Sequence, residues 1–339
     1  MTYFYHAYGV TLASDTPIPG LEQASSGFGR PHLGLSFGSE PDWVRDARRL
    51  PCRLDHPKPS ALDRNDSAGA TLTSFGAGQF FQLTYSDGTQ FVIDATAERL
   101  WGTCLPPLTI DDIATYLSGP VMGFILRRRG LMSLHASAVC IDGRAVALCG
   151  ESQSGKSTCA AALALRGMPV LCEDVTPLLE EHGGFHVEPG YPRICLWPDA
   201  VESLLGTPNA LPQLTPTWEK CFLPLDRDGA RFDQQKRPLG VIYLLAQRSQ
   251  EERAPWIEEM SPREALLELV QNTYMRRLLD RMQRAAEFDV LSRVAMQAPV
   301  RRIVPHVDFA RVSILCDLIV ADSKRLFGSS RSTVAHSND

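Results

Sequence analysis

The residue types best suited to binding a triphosphate lie in one short segment of the chain. An apolar run, Ala145–Cys149, leads into Gly150, and after four intervening residues come Gly155, Lys156 and Ser157. With this spacing the glycines let backbone N–H groups face phosphate oxygens, the lysine reaches the β- and γ-phosphates, and the serine hydroxyl binds Mg²⁺. A glycine-rich turn without a ligand is the alternative interpretation. The predicted nucleotide-binding residues are Gly150, Ser152, Ser154, Gly155, Lys156, Ser157 and Thr158.

Two carboxylates follow this loop closely. The segment Met168–Cys172 predicts a short buried strand parallel to the strand before the loop, and Glu173 and Asp174 come directly after it. Because parallel strands end at the same edge of a sheet, we expect both acids to lie beside the triphosphate. One acid can hold Mg²⁺, directly or through water, and the other can accept the proton of an attacking hydroxyl. A helix N-cap or a loop ion pair is the structural alternative.

A histidine is predicted to lie next to the first glycine of the loop. Asp142-Gly143 forms a two-residue turn of the type that favours β-hairpins. If Ile141 and Arg144 flank this turn, counting back along both strands places His135 opposite Gly150. The imidazole would then contact phosphate or take part in acid–base chemistry, unless it is a structural histidine or the register differs by one residue.

Together these residues resemble the catalytic core of the HPr kinase/phosphorylase-like kinases, which are P-loop protein kinases structurally akin to phosphoenolpyruvate carboxykinase. The matching block runs from Leu134 to Val175. A looser similarity to divergent relatives, often encoded with ribosomal peptide pathways and including lasso-peptide kinases, covers further segments. These segments are Tyr8–Val10, Pro17–Leu21, Asp87-Gly88, Gly190–Pro198 and Pro305–Phe309.

The resemblance implies ATP- and Mg²⁺-dependent transfer of a phosphoryl group to a serine hydroxyl on a peptide or small protein. It makes one of Asp174 and Glu173 the general base, places the other near the metal, and matches His135 to the family's active-site histidine. The family usually has two aspartates where this chain has Glu173-Asp174. The true HPr kinases also carry a glutamate–valine–arginine–glycine-type signature downstream. In this chain Glu188–Arg193 occupies the comparable region, but it does not match that signature in clear register. The absence of that signature argues against HPr as the substrate and against phosphorylase activity.

Composition restricts the class of protein. The chain has 339 residues and a net charge of −5, which gives no support for nucleic-acid binding through a broad basic surface. Its nine cysteines include no C-x-x-C pair, so we predict a reducing, cytoplasmic location and no structural zinc. The N-terminus lacks the features of a signal peptide, and no apolar run is long enough to span a bilayer. We therefore predict a protein without membrane segments.

The predicted fold is α/β, with a P-loop kinase core built on a mixed sheet and similar to the C-terminal domain of HPr kinase. A smaller β-rich α+β domain precedes it, and residues 80–94 form a convincing hairpin in that domain. The predicted boundaries are 1–128 for the N-terminal domain, 129–327 for the kinase domain and 328–339 for a disordered tail. An exposed loop is predicted between Pro57 and Ala70, and a mobile loop from Thr207 to Trp218.

Several cations are candidates for substrate contact. Arg193 is the first candidate for the transferred phosphate or the substrate, because a kinase needs positive charge beyond Lys156, although it could be a surface arginine on a strand. Lys220 is a weaker candidate of the same kind. A later helix predicts an arginine-rich face that is either solvated or docks an acidic peptide or another subunit. This face comprises Arg276, Arg277, Arg281 and Arg284, interleaved with Leu278, Leu279 and Met282.

Three functions fit these residues. The first is a kinase acting on a serine of a peptide or small protein, with a ribosomal (lasso) peptide precursor as one substrate class. The second is a kinase acting on a small-molecule hydroxyl such as that of free serine. The third is a regulatory module that binds nucleotide and a partner without turnover. The family resemblance also suggests a homo-oligomer, and the preference for ATP over GTP depends on it alone.

Overall fold

A computed structural model of the chain describes residues 1–24, 30–56, 69–227, 229–276 and 281–334. Most of the loop predicted between Pro57 and Ala70 lies outside these residues. So do Arg277, Leu278 and Leu279 of the predicted arginine-rich face.

The first part of the chain forms an eight-stranded sheet with the order β1-β2-β3-β8-β7-β6-β5-β4. Helix α1 (Asp42–Arg49) packs Val44 against Val92 and Trp101 of this sheet. The predicted hairpin at residues 80–94 is confirmed, with Thr84 opposite Gln90. The strands are β1 (Tyr3–Ala7), β2 (Val10–Ser14), β3 (Leu33–Phe37), β4 (Cys52–His56), β5 (Thr71–Phe75), β6 (Phe80–Thr84), β7 (Gln90–Asp94) and β8 (Arg99–Thr103).

A helical segment joins this sheet to the rest of the molecule. Helix α2 (Ile110–Tyr116) begins at a capping box formed by Thr109 and Asp112, and a π-helical turn leads into α3 (Met122–Arg128). The apolar residues of this helical segment form one core with the first sheet and with Val175, Tyr191 and Tyr274 from the second half of the chain. The boundary near residue 128 remains a prediction.

The second half is built on a mixed sheet with the order β10-β9-β12-β13-β16-β18-β17. Strand β16 also pairs with β10 in parallel, and β11 pairs with β9. Because β9 is antiparallel to both β10 and β11, these two strands run in the same direction, as predicted. The strands of this sheet are β9 (Met132–Ile141), β10 (Arg144–Gly150), β11 (Val170–Cys172), β12 (Val175–Glu181), β13 (Gly184–Val187), β16 (Arg237–Leu245), β17 (Trp256–Glu259) and β18 (Val300–Val304). Strands β14 (Arg193–Leu196) and β15 (Cys221–Pro224) form a separate two-stranded sheet.

Helices cover both faces of this sheet. On one face, α4 (Lys156–Leu165), α5 (Pro198–Leu205) and α8 (Val312–Val334) pack against side chains such as Val146 and Leu148. On the other face, α6 (Pro262–Gln271) and α7 (Arg281–Gln297) pack against Ala147 and its neighbours. The alternation along β10 explains its continuous apolar sequence, since both faces of the strand are buried.

The C-terminal helix differs from the prediction. It continues through Gly328 to Val334, so the prediction of a disordered tail from residue 328 is wrong for 328–334. A glycine lowers helix propensity by only about 1 kcal/mol. A helix already packed through Leu315, Ile319 and Phe327 can therefore continue past it.

Candidate active site

The predicted nucleotide loop lies between β10 and α4. Gly150 ends the strand at a φ of 149°, and Gly155 precedes the helix at a φ of 105°. Gln153 also has a left-handed φ, of 65°. Ser152 is half-buried in the turn, and Thr158 is buried in the first turn of α4. This conformation places the N-terminal turn of the ten-residue helix α4 at the end of β10. The free backbone N–H groups of that turn can bind phosphate there.

Two features of the loop favour an anionic ligand. The Lys156 side chain is 6% exposed, and its Nζ donates hydrogen bonds to the carbonyl oxygens of Gly150 (2.8 Å) and Glu151 (2.9 Å). Burial lowers the pKa of Lys156, and the nearby charge of Asp174 opposes that shift. The Ser154 Oγ is buried and has no partner among the described residues. A phosphate in the loop would offer charged acceptors to both groups.

We expect Gly150→Ala to lower the free energy of unfolding by about 2 kcal/mol or more, because it combines backbone strain with a steric clash. A Cβ at this position would lie 2.7 Å from Ser154 Oγ and 2.9 Å from the Leu245 carbonyl oxygen. Gly167→Ala is the matched control, since its φ of 86° is strained but its surroundings are open. Urea unfolding of both variants measures the difference, and equal losses would show that the close approach at Gly150 has no cost.

Glu173 faces the P-loop serine. It lies between β11 and β12, is 5% exposed, and accepts hydrogen bonds from the Ser157 hydroxyl at 2.7 Å and the Tyr191 hydroxyl at 3.2 Å. Burial raises the pKa of Glu173, and the negative charge of Asp174 raises it further. The two hydrogen bonds and the positive charge of Lys220 oppose these effects. The two hydrogen bonds thus hold the carboxylate in place, but its negative charge is poorly compensated without a cation.

This raised pKa gives a prediction with a definite sign. Because the folded state holds the Glu173 proton more tightly than the unfolded state, stability falls as pH rises through the interval between the two pKa values, and the ionised carboxylate is destabilising above it. In metal-free buffer, Glu173→Gln should therefore be at least as stable as the wild type at pH 7. The advantage should shrink as pH falls towards 4.

Urea unfolding at both pH values tests this, with Glu202→Gln on the exposed face of α5 as the control. A Glu173→Gln variant that is less stable than the wild type at pH 7 would contradict the expectation.

Asp174 is held by a different set of groups. Its φ is 66°, and its carboxylate is 3.1 Å from His135 Nε2 and accepts a hydrogen bond of 2.7 Å from the Tyr274 hydroxyl. Burial raises its pKa, but the hydrogen bond and charge of His135 and the hydrogen bond from Tyr274 outweigh burial and hold the pKa below its usual range. Gly119 makes room for this group, since a Cβ there would lie 3.3 Å from Asp174 Oδ2. Asp174 is therefore an ionised carboxylate with a fixed orientation.

The hairpin register predicted from Asp142-Gly143 is confirmed. Arg144 pairs with Ile141 and Cys149 pairs with Ala136, so His135 is the next residue along β9 and lies at the level of Gly150. On its other side His135 pairs with Val175 of β12, which brings it to the adjacent Asp174. The same strand therefore borders both the P-loop and the carboxylates.

The two candidate cations occupy different environments. Arg193 is 5% exposed, its guanidinium lies over the rings of Tyr191 (5.3 Å) and Phe222 (5.8 Å), and its Nε has no partner among the described residues. The guanidinium also lies close to Gly20 of the N-terminal part, where a Cβ would be 2.5 Å from Arg193 Nη1. Contact of Arg193 with a phosphate remains a prediction. Lys220 is half-buried, packs over the exposed Trp197 at 5.1 Å, and is close enough to oppose the burial effect on Glu173.

Three tyrosines complete the site, and none of them was predicted as a site residue, although two lie in the segments Tyr8–Val10 and Gly190–Pro198 that carry the looser resemblance. Tyr191 and Tyr274 bind the two carboxylates, and Tyr8, from the loop between β1 and β2, packs edge-on against Tyr191 at 6.2 Å. The Tyr8 hydroxyl donates to the Ser118 carbonyl at 2.6 Å, and its backbone N–H donates to Pro189. Burial raises the pKa of all three phenols, which remain protonated donors. No spacing in the sequence relates them to Glu173 or Asp174.

The donor set fits Mg²⁺. The Ser157 hydroxyl and a Glu173 carboxylate oxygen are 2.7 Å apart, close to the roughly 2.9 Å between adjacent oxygens around an octahedral Mg²⁺. Among the described residues no group of three His, Cys, Asp or Glu side chains could hold a metal alone. Such a sparse set suits Mg²⁺, which is usually bound by one or two protein oxygens together with substrate phosphates and water.

Comparisons with known proteins give similarities to solved structures. No protein-family model and no curated protein matches the chain. Among solved structures, the HPr(Ser) kinase/phosphatase from Coxiella burnetii is similar, with 16% sequence identity and a TM-score of 0.34 over 61% of this chain and 99% of that chain. A similarity at this level does not establish a shared reaction.

Within the part of the chain that the structure describes, no helix is long and apolar enough to cross a membrane.

Proposed function

We propose that the chain is a Mg²⁺-dependent ATP phosphotransferase that phosphorylates a serine hydroxyl on a peptide or small protein. The supporting observation is the junction of the P-loop with the acidic pair: Ser157 is hydrogen-bonded to Glu173, and the next residue, Asp174, is paired with His135. A phosphate-binding loop, a metal-binding carboxylate and a separate oriented carboxylate are the groups that phosphoryl transfer needs.

The environments of the two acids support different roles for them. Glu173 accepts a hydrogen bond from the P-loop serine, Ser157, and its pKa is raised. A divalent cation at this position would therefore compensate the buried negative charge of the carboxylate. Asp174 is turned to His135 and Tyr274 and stays ionised. We therefore assign Glu173 to the metal side and Asp174 to the acceptor side.

In this assignment each group acts on a stated atom. Lys156 and the N–H groups of the loop hold the β- and γ-phosphates, and bound Mg²⁺ would neutralise part of their charge. The acceptor oxygen bonds to the γ-phosphorus while the bond from that phosphorus to the β-bridging oxygen breaks, and ADP leaves. The hydroxyl proton passes to Asp174, which His135 and Tyr274 keep oriented.

Further expectations belong to the same proposal. The positive charge of Lys220 acts on both Glu173 and Asp174, so we assign Lys220 to the charge of the transferred group. Arg193 would support Tyr191 and, through it, Glu173. The proposal includes a kinase domain at 129–327 after a β-rich domain at 1–128, a cytoplasmic location and a homo-oligomer.

Intact-mass analysis tests the reaction. The protein is incubated with ATP and Mg²⁺ and with peptides that each contain one serine, beside matched peptides with alanine in its place and beside free serine. A gain of one phosphate on serine peptides alone supports the proposal, whereas phosphorylation of free serine alone would assign a small-molecule kinase. Nucleotide binding with no transfer to any of these acceptors would favour a regulatory binding module.

A further inference from the structure

A small cavity lies beside the P-loop on the side away from Glu173 and Asp174. It is bordered by Gly155 and Thr158 of the loop and α4, by Arg248 after β16, and by Pro305 and Phe309 after β18. The acidic pair belongs to the other edge of β10, where β9 pairs with both β11 and β12. The P-loop therefore separates two regions of different chemistry.

The direction of a bound triphosphate follows from this arrangement. Strands β10, β16 and β18 are parallel and end at one edge of the sheet, where ligands of such sheets bind. Gly150 is paired with Leu245 on the β16 side, and His135 lies at its level on the β9 side. If the γ-phosphate points towards Asp174 on the β9 side, the nucleoside extends in the opposite direction, towards the C-terminal ends of β16 and β18.

The cavity has the chemistry of a site for a flat aromatic ligand. The Arg248 guanidinium lies 4.1 Å from the centre of the Phe309 ring, and that phenylalanine is 37% exposed. Arg248 also borders the loop, because a Cβ on Gly155 would lie 3.2 Å from its Nη2 atom. The volume of the cavity is about 30 Å³, and the Arg248 guanidinium covers the Phe309 ring.

The backbone that carries Phe309 is held independently of this contact. The Asp308 carboxylate accepts a hydrogen bond from the Ala310 N–H at 2.9 Å, and Arg311 donates to the carbonyl oxygens of Glu252 (2.6 Å) and Ala254 (3.1 Å). Removing the ring should therefore leave the segment in place. This makes the ring a suitable target for a binding experiment.

We propose that this cavity binds the base of the donor nucleotide, with the purine stacked on Phe309 and the Arg248 guanidinium displaced to the outer face of the base. Arginine has a long flexible side chain, and both its guanidinium plane and an aromatic ring stack favourably on nucleobases. The inference depends on the proposed nucleotide-binding function and adds which residues of this chain bind the nucleoside.

Calorimetric titration with ADP and, separately, with inorganic tripolyphosphate tests the inference. Phe309→Ala should weaken ADP binding about tenfold, because losing a base–aromatic stack costs roughly 1–3 kcal/mol. It should change tripolyphosphate binding by less than about twofold, since this ligand has no base. Phe309→Tyr should restore ADP binding, and Phe288→Ala, at a 50% exposed position on α7, is the control that should affect neither ligand.

Two results would overturn the inference alone: wild-type affinity of Phe309→Ala for ADP, or an equal loss of ADP and tripolyphosphate. A wild-type protein that binds neither ligand would instead overturn the nucleotide-binding function itself. The two failures are therefore distinguishable.

Discussion

Asp174→Asn is expected to slow phosphoryl transfer by about 10²–10⁴-fold while ADP affinity stays at the wild-type value, because general-base catalysis contributes a factor of that size. Asparagine can still accept the hydrogen bond from Tyr274 and tolerates the left-handed backbone at a φ of 66°. It cannot accept the proton of the hydroxyl. Single-turnover transfer and ADP titration on the same preparation measure the two effects separately.

Asp142→Asn is the matched control for this variant. Asp142 also has a left-handed φ, of 48°, but lies exposed in the β9–β10 turn. Its substitution should leave both measurements unchanged. Retention of wild-type transfer by Asp174→Asn would remove Asp174 from the reaction, and a parallel loss of ADP affinity would show that it acts in nucleotide binding instead.

Lys156→Met is expected to slow phosphoryl transfer by about 10²–10³-fold or more, because removing one preorganised hydrogen-bond donor to a transition state lowers the rate by about that factor. It should also remove the stabilisation that ATP and Mg²⁺ give to the folded protein. The free protein should lose little stability, because methionine replaces a buried ammonium whose pKa is lowered by burial. Thermal unfolding with and without ATP and Mg²⁺ tests both statements.

Lys236→Met serves as its control. That lysine pairs with Glu181 at the surface, where ion pairs contribute about 0–1 kcal/mol, so neither transfer nor the nucleotide-induced rise in Tm should change. If Lys156→Met keeps the full rise in Tm, the nucleotide binds elsewhere and the P-loop assignment is wrong.

The sequence alone determined the local parts of the candidate site. The spacing from Gly150 to Ser157 predicts the phosphate loop because its conformation depends on glycine and on the adjoining strand and helix. The Asp142-Gly143 turn determined the register of β9 and β10, since a two-residue hairpin leaves few pairings. The position of Glu173 and Asp174 at the end of β11 follows from the parallel direction of consecutive strands in such a unit.

Only the tertiary structure decided how these parts act on one another. Glu173 and Asp174 are neighbours in sequence, yet one faces Ser157 and Tyr191 while the other faces His135 and Tyr274. Burial and the adjacent charge of Asp174 raise the pKa of Glu173, whereas His135 and Tyr274, the latter 100 residues away, hold the pKa of Asp174 below its usual range. Burial and charge depend on which distant segments meet, so residue type and spacing alone could not predict them. For the same reason the sequence could not show that Arg193, the first candidate for contact with the phosphate or the substrate, lies over the rings of Tyr191 and Phe222.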